Sequence, residues 1–241
     1  MTKGPILHST NDKQDLIKKY YLALIPLIIF SIYKNGILLY TNDLINISKI
    51  FIPIYFYSIS ILIGFLISKI LKDSSKENIL ICLIISCTIS INTNLIIYPI
   101  LLFVSLFIGK VIIAKSRLKF NLGSFARITL ILALLLNSYS YLNIAEKLNK
   151  FNYNYFDIFL GLGKGAIGAT SILILIISLI ILSTSRYYKK LITIVSSLSF
   201  IIINLAIILI TKNYNYLSIL LNGINYFSFI FLASDLYTSP I

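Results

Sequence analysis

Eight apolar runs, each bounded by charged or amide side chains, constrain this sequence more than anything else in it. They are Leu16 to Tyr33, Ile50 to Leu71, Ile79 to Ile91, Leu95 to Ala114, Phe125 to Tyr141, Ile167 to Ser183, Leu191 to Ile210 and Tyr216 to Ala233. A bilayer core of about 30 Å needs roughly 20 helical residues, and most of the runs reach or approach that length. A chain that is 58% hydrophobic and 12% charged, with a mean hydropathy of +0.93, could not hide such runs in a soluble core. The expected fold is therefore an all-α polytopic membrane protein of about eight transmembrane helices. It forms a single transmembrane domain over residues 1–241, with residues 1–15 as a cytoplasmic N-terminal segment. The first run is retained rather than cleaved, because Lys34-Asn35-Gly36 follows it instead of a small-residue processing site. Ile79 to Ile91 is too short to span, and Asn92-Thr93-Asn94 separates it from the next run. This spacing predicts a tight hairpin, or a helix that penetrates only part of the bilayer.

Charge is the second constraint. Lys and Arg number 21 against 8 Asp and Glu, a net charge of +13 that elsewhere would suggest nucleic-acid binding. Here the basic residues sit between apolar runs, where they orient helices, and no nucleic-acid partner is expected. With the N-terminus inside, 15 of the 21 fall on or near the cytoplasmic face, and Lys34, Lys49, Lys147, Lys150, Lys164 and Lys212 make up the other six. A multi-pass protein of the plasma or inner membrane follows, with the lipid bilayer as its first partner. Cys82 and Cys87 are five apart in an apolar run, hence on different helix faces, and His8 is the sole histidine. No metal site built by this chain alone is expected.

Three places offer polar chemistry. Gly161-Leu-Gly-Lys-Gly-Ala-Ile-Gly-Ala-Thr-Ser171 leads straight into an apolar run. Glycines before a helix leave N–H groups free for an anion, with Gly165 and Gly168 as the cradle and Thr170 and Ser171 as hydroxyl donors. Small residues also permit close helix packing, and Thr170 and Ser171 also suit a helix cap, so both readings stand. The segment carries the letters of a dinucleotide fingerprint without a strand before it, which excludes that use. Arg127, just inside the fifth run, either has a partner facing a polar cavity or snorkels to the interface. Asp235 lies just past the last run, where a carboxylate also suits a solvated helix end.

Four patches in collinear order resemble the RnfD/NqrB family, membrane components of the Rnf electron-transport complex and of the related sodium-pumping quinone reductase. They are Gly4-Pro5 through Asp12 with Leu22-Ala-Leu-Ile-Pro26 and Ile32-Tyr-Lys-Asn-Gly36; Ile108-Gly-Lys110 with Phe120-Asn121 and Ala126-Arg127; Gly165-Ala-Ile-Gly-Ala-Thr-Ser171; and Phe231-Leu-Ala-Ser-Asp-Leu-Tyr-Thr-Ser-Pro240. The resemblance implies an incomplete pair of five-helix inverted repeats, since members of the family continue beyond Thr-Ser-Pro.

It also implies a flavin-binding scaffold in a complex that passes electrons from ferredoxin to NAD and couples them to ion movement. Other membrane and peripheral components of that complex are the implied partners, and the chain is not catalytic alone. FMN or riboflavin is the implied cofactor. In such proteins a second flavin is commonly attached to a threonine; the matching region here offers Ser140, in Asn137-Ser-Tyr-Ser140, without the surrounding Asp, Gly and Ala, so the flavin is expected to be non-covalent. The expected donors are Gly165 to Gly168, Thr170, Ser171, Asn121 and Arg127, and the family match adds Asp235, Thr238 and Ser239. A permease with a site at broken helices near Asn92 and Gly161, and a structural component without flavin, are the competing readings.

Overall fold

The computed structural model describes residues 10–116, 121–135, 155–163, 165–212 and 215–234. Every regular element among them is helical, so the all-α expectation holds. The chain begins with α1 (Thr10–Ile32), a π-helical turn (Tyr33–Ile37) and α2 (Leu38–Thr41), then a 3-10 turn (Ile47–Phe51) and α3 (Ile52–Leu71). After these come α4 (Ser75–Cys87), α5 (Ile97–Ser116), α6 (Leu122–Leu135) and α7 (Tyr155–Leu160). The chain continues through α8 (Ile172–Ser183), α9 (Lys190–Thr211), α10 (Asn215–Leu220), α11 (Gly223–Phe227) and a closing π-helical turn (Ser228–Ala233).

Membrane solvation explains what lies outside. On α9, Leu209 and Ile210 are 78% and 82% exposed, and on α3 Leu62 and Phe65 are also open. A surface of this kind is stable against lipid tails and not against water. At 1.5 Å per residue the 22 residues of α9 rise about 33 Å, enough to cross the core. Inside, Tyr20, Leu24, Leu27, Phe56, Ile85, Tyr98, Leu102, Phe227 and Phe231 form one continuous core, with Phe56 and Tyr98 edge-to-face at 4.9 Å. Aromatic pairs of that geometry add to area burial.

Three spans differ from the sequence expectation, each for a local reason. The first does not stop at Lys34. A π-helical turn admits one extra residue, carries the helix on to Thr41, and turns Lys34, Asn35 and Gly36 inward. Lys34 therefore lies within a helix and not in the loop expected after the first run. The sixth run is helical only from Ile172, five residues after the run itself begins at Ile167, because Ser171 caps α8 by accepting the Ile174 N–H. The last run breaks at Asn222, whose side chain accepts the Ile224 N–H and starts a new helix. The short third run behaves as the sequence indicates: α4 has 13 residues, about 20 Å, and Thr88 to Leu95 continue as buried or looping backbone before α5.

Basic residues gather at one end of the bundle. Tyr21 donates to the Lys76 carbonyl at 2.6 Å, and Lys110 pairs with Asp73 beyond the end of α3. At the other end Tyr55 donates to the Leu95 carbonyl at 2.9 Å. Thus α4 starts at the basic end and stops inside.

Candidate functional site

Irregular backbone from four spans meets at one place. The C-terminus of α4 is closed by Thr88, whose hydroxyl and N–H both bond the Ile85 carbonyl, a local pairing that competes with further helix. Across it runs the extended segment 165–171. Ile167 N–H donates to the Ile89 carbonyl at 2.7 Å, and Gly168 and Ala169 N–H donate to the Cys87 carbonyl at 3.0 and 3.1 Å. The broken helix and the extended segment thereby satisfy each other's backbone inside the bilayer, where no water could. The last span joins through Gly223, whose N–H donates to the Thr170 carbonyl at 3.1 Å.

The π-turn of the first span supplies the side chains. Asn35 Nδ2 donates to the Ser31 and Ile167 carbonyls, each at 3.0 Å. Lys34 Nζ donates to Thr170 Oγ1 at 2.7 Å and reaches the Ala166 carbonyl at 3.5 Å. Tyr57 donates to Ser31 Oγ at 2.9 Å, and the Cys87 thiol lies 3.9 Å from the Tyr57 oxygen. Two glycines shape the segment. Gly161 turns the chain with φ +95°, a left-handed value that favours glycine. A Cβ on Gly168 would stand 3.0 Å from the Tyr57 oxygen and 3.2 Å from Cys87 Sγ, so the segment packs there closely enough that an added methyl needs these neighbours to give by a few tenths of an ångström.

The residues expected from sequence fall into two groups. Gly165, Gly168, Thr170 and Ser171 lie at the crossing. Asn121 and Arg127 lie elsewhere, at the start of α6 and bonded to the last span: Asn121 Nδ2 donates to the Leu232 carbonyl and Arg127 Nη1 to Ser228 Oγ. Ser228 and Leu232 are five and nine residues from Gly223, so the two groups are separated by about 7 to 13 Å of helix. The closing π-turn widens the helix there, and Tyr20 donates to the Ser234 carbonyl at 2.9 Å, while Tyr188 reaches the Ile230 carbonyl at 3.1 Å. Burial pushes the Tyr188 phenol up, opposed by its bonds to Thr193 and Ser234. Ser140, Asp235, Thr238 and Ser239 lie outside the described residues.

The expected donors have identifiable uses. The N–H groups of Ile167, Gly168 and Ala169 point at protein carbonyls, Ser171 caps α8, and Asn121 and Arg127 tie α6 to the last span. In this arrangement they serve two separate junctions. Lys34 and Asn35, which read as a loop in the sequence, are the side chains that grip the crossing. Their signal was available: Ile37-Leu-Leu-Tyr40 resumes the apolar run after only three non-apolar residues.

The broken spans interlock around buried polar groups, and with four helices among the described residues long and apolar enough to cross a membrane the chain is an all-α polytopic membrane protein. The whole chain, residues 1–241, matches the profile of the NQR2, RnfD, RnfE family, and it belongs to that family. No curated protein matches the chain.

Proposed function

We propose that this chain is the RnfD/NqrB-type membrane component of an Rnf-like electron-transport complex that couples ferredoxin and NAD electron transfer to ion translocation. Membership of the family supports the electron-transport setting. The observation that carries the ion-handling part is the convergence of four broken or π-bulged spans on Lys34, Asn35 and Thr170, because irregular backbone at membrane depth persists where protein lines a polar path. In this reading the protein sits in the plasma or inner membrane with its N-terminus cytoplasmic, associates with other membrane and peripheral components, and does not turn over substrate alone.

We assign a non-covalent FMN or riboflavin to the assembled complex, since Ser140 lacks the surrounding Asp, Gly and Ala of an attachment loop, and the Ile167, Gly168 and Ala169 N–H groups are committed to protein carbonyls. When bound, the flavin supplies one- or two-electron redox chemistry. What this chain's own residues do is hold the crossing closed: Asn35 fixes the extended segment, Ser171 caps α8, and Tyr57 and Ser31 bridge α3 to α1. The test is purification of the whole complex with its other components. Yellow absorbance in the native complex and no fluorescent band after denaturation are expected. A fluorescent band lost in Ser140→Ala would overturn the non-covalent assignment. The same broken helices favour a permease as the second reading, and a complex without any flavin would favour it or a structural component over the first reading.

A further inference from the structure

Residues 184–189 join α8 to α9, yet the two helices do not pack along each other. Each leans on the last span, α8 on α11 and α9 on α10 and the closing π-turn, so each keeps an apolar side for lipid. Ile177 and Ile180 are exposed on α8, and Ile194 and Leu198 on α9. Acyl chains cover any such surface; what sets this place apart is the connection above it. Its Ser185 and Tyr188 are buried, and the Tyr188 hydroxyl shares a hydrogen bond with Thr193 Oγ1 at 2.8 Å and donates to the Ile230 carbonyl at 3.1 Å. The Tyr188 ring also meets Tyr20 of α1 edge-on at 6.2 Å. The connection is thus fastened to three elements, and Arg186 projects between its two buried anchors.

Arg186 and Lys190, the first residue of α9, are both exposed, and among the described residues neither has a carboxylate within ion-pair distance. Elsewhere at the basic end of the bundle Lys110 is paired with Asp73. Orientation during insertion accounts for the sign of these charges, but it requires no fastened loop. We infer that Arg186, Lys190 and the apolar sides of α8 and α9 form a site for one anionic phospholipid, the phosphate on the two cations and the acyl chains along Ile177, Ile180, Ile194 and Leu198. A guanidinium takes two phosphate oxygens at once, and the ammonium adds a point charge. Lys190 stands eight residues, about 12 Å, above Leu198, so headgroup and chain depths are matched on one helix. Charge selects the lipid, because a zwitterionic headgroup brings a cation of its own to two that have no counter-charge. An acidic soluble protein fits less well, since the apolar half of the surface lies below the headgroups. The inference rests on membrane residence alone, not on flavin or electron transfer.

The chain contains no tryptophan, so Ile194→Trp gives the full-length protein a single local reporter. It is placed in vesicles of equal phosphatidylglycerol and phosphatidylcholine, with bromine on the acyl chains of one lipid at a time, and fluorescence quenching is compared. Stronger quenching by brominated phosphatidylglycerol is expected. Each cation near a lipid surface favours an anionic lipid by about fivefold, so Arg186→Gln with Lys190→Gln should lower the preference by about tenfold or more and bring the two lipids close to parity. Lys69→Gln with Lys76→Gln, exposed cations of α3 and α4, should leave it intact. If the Arg186 and Lys190 double variant does not fold, Arg186→Gln alone takes its place, with about a fivefold fall expected. Equal quenching by both lipids in the reporter protein, an unchanged preference in the Arg186 variants, or an equal fall in the Lys69 and Lys76 variant would overturn the inference. Loss of the preference on adding millimolar glycerol phosphate would also overturn it, by showing a site for free phosphate rather than for a lipid.

Discussion

Substitution of Gly168 separates close packing from ligand cradling. The residue has no left-handed φ, so alanine meets no backbone strain and only the added atom matters. That Cβ would lie 3.0 Å from the Tyr57 oxygen, 3.2 Å from Cys87 Sγ and 3.3 Å from Cys87 Cβ, each short of ordinary contact by a few tenths of an ångström. Neither neighbour retreats freely. Tyr57 is bonded to Ser31 at 2.9 Å, and Cys87 is held by the N–H groups of Gly168 and Ala169. Overpacking by one methyl costs about 1 kcal/mol, and restricting the unfolded chain returns about 0.4–1 kcal/mol, so Gly168→Ala should be nearly neutral. Valine adds two further methyl groups. With about 1–3 kcal/mol of overpacking and about 1 kcal/mol for the Tyr57 bond, Gly168→Val should cost about 2–4 kcal/mol. For a chain of this size that is a fall of about 4–16 °C, read by circular dichroism in detergent. Flavin per folded molecule should be unchanged, and Cys87→Ala should recover part of the loss in the double variant. A Gly168→Val protein that melts like wild type while losing its flavin would refute the packing account.

Gly64→Ala should be worse than Gly168→Ala, because the new Cβ would meet the Ile79 Cα and N at 2.7 and 2.8 Å and backbone cannot swing aside; melting temperatures of the two variants compare them directly. Asn35→Leu strips the donor from the Ser31 and Ile167 carbonyls and should cost about 1–3 kcal/mol, seen as lower thermal stability, whereas Tyr20→Phe, which loses one bond to Ser234, should cost about 1 kcal/mol. For orientation, a cysteine introduced at exposed Asp43 should react with an impermeant thiol reagent from outside, and one at exposed Ser74 only after permeabilisation. The opposite pattern would reverse the topology.

Periodicity and run length made the membrane class legible, and Asn92-Thr93-Asn94 marked the half-span of α4 correctly, since amide and hydroxyl side chains compete locally with helical hydrogen bonds. Lys34 was not legible, because a charge beside Asn-Gly reads as a loop; only a tertiary partner, Thr170, 136 residues away, makes burial tolerable. Likewise Arg127 has the sequence setting of a ligand-facing guanidinium, and its bond to Ser228 depends on a helix 101 residues later that no local pattern announces. The glycine segment could be located but not its use. Whether N–H groups before a helix meet an anion or a carbonyl is decided by what crosses them, here the end of α4.

That crossing also dictates an order of assembly. The Cys87 and Ile89 carbonyls receive their partners from Ile167 to Ala169, about eighty residues downstream, so a nascent chain that has delivered only α1 to α5 carries bare carbonyls at membrane depth. Each such group costs several kcal/mol in lipid. The half-span of α4 is then disfavoured from moving out among the lipids by itself and is held beside the insertion machinery, or beside wet neighbouring helices, until the second half emerges. Chains released after α6 should therefore be the substrates that membrane quality control removes first, while those released after α8 already carry the strand-like segment that seals the bundle.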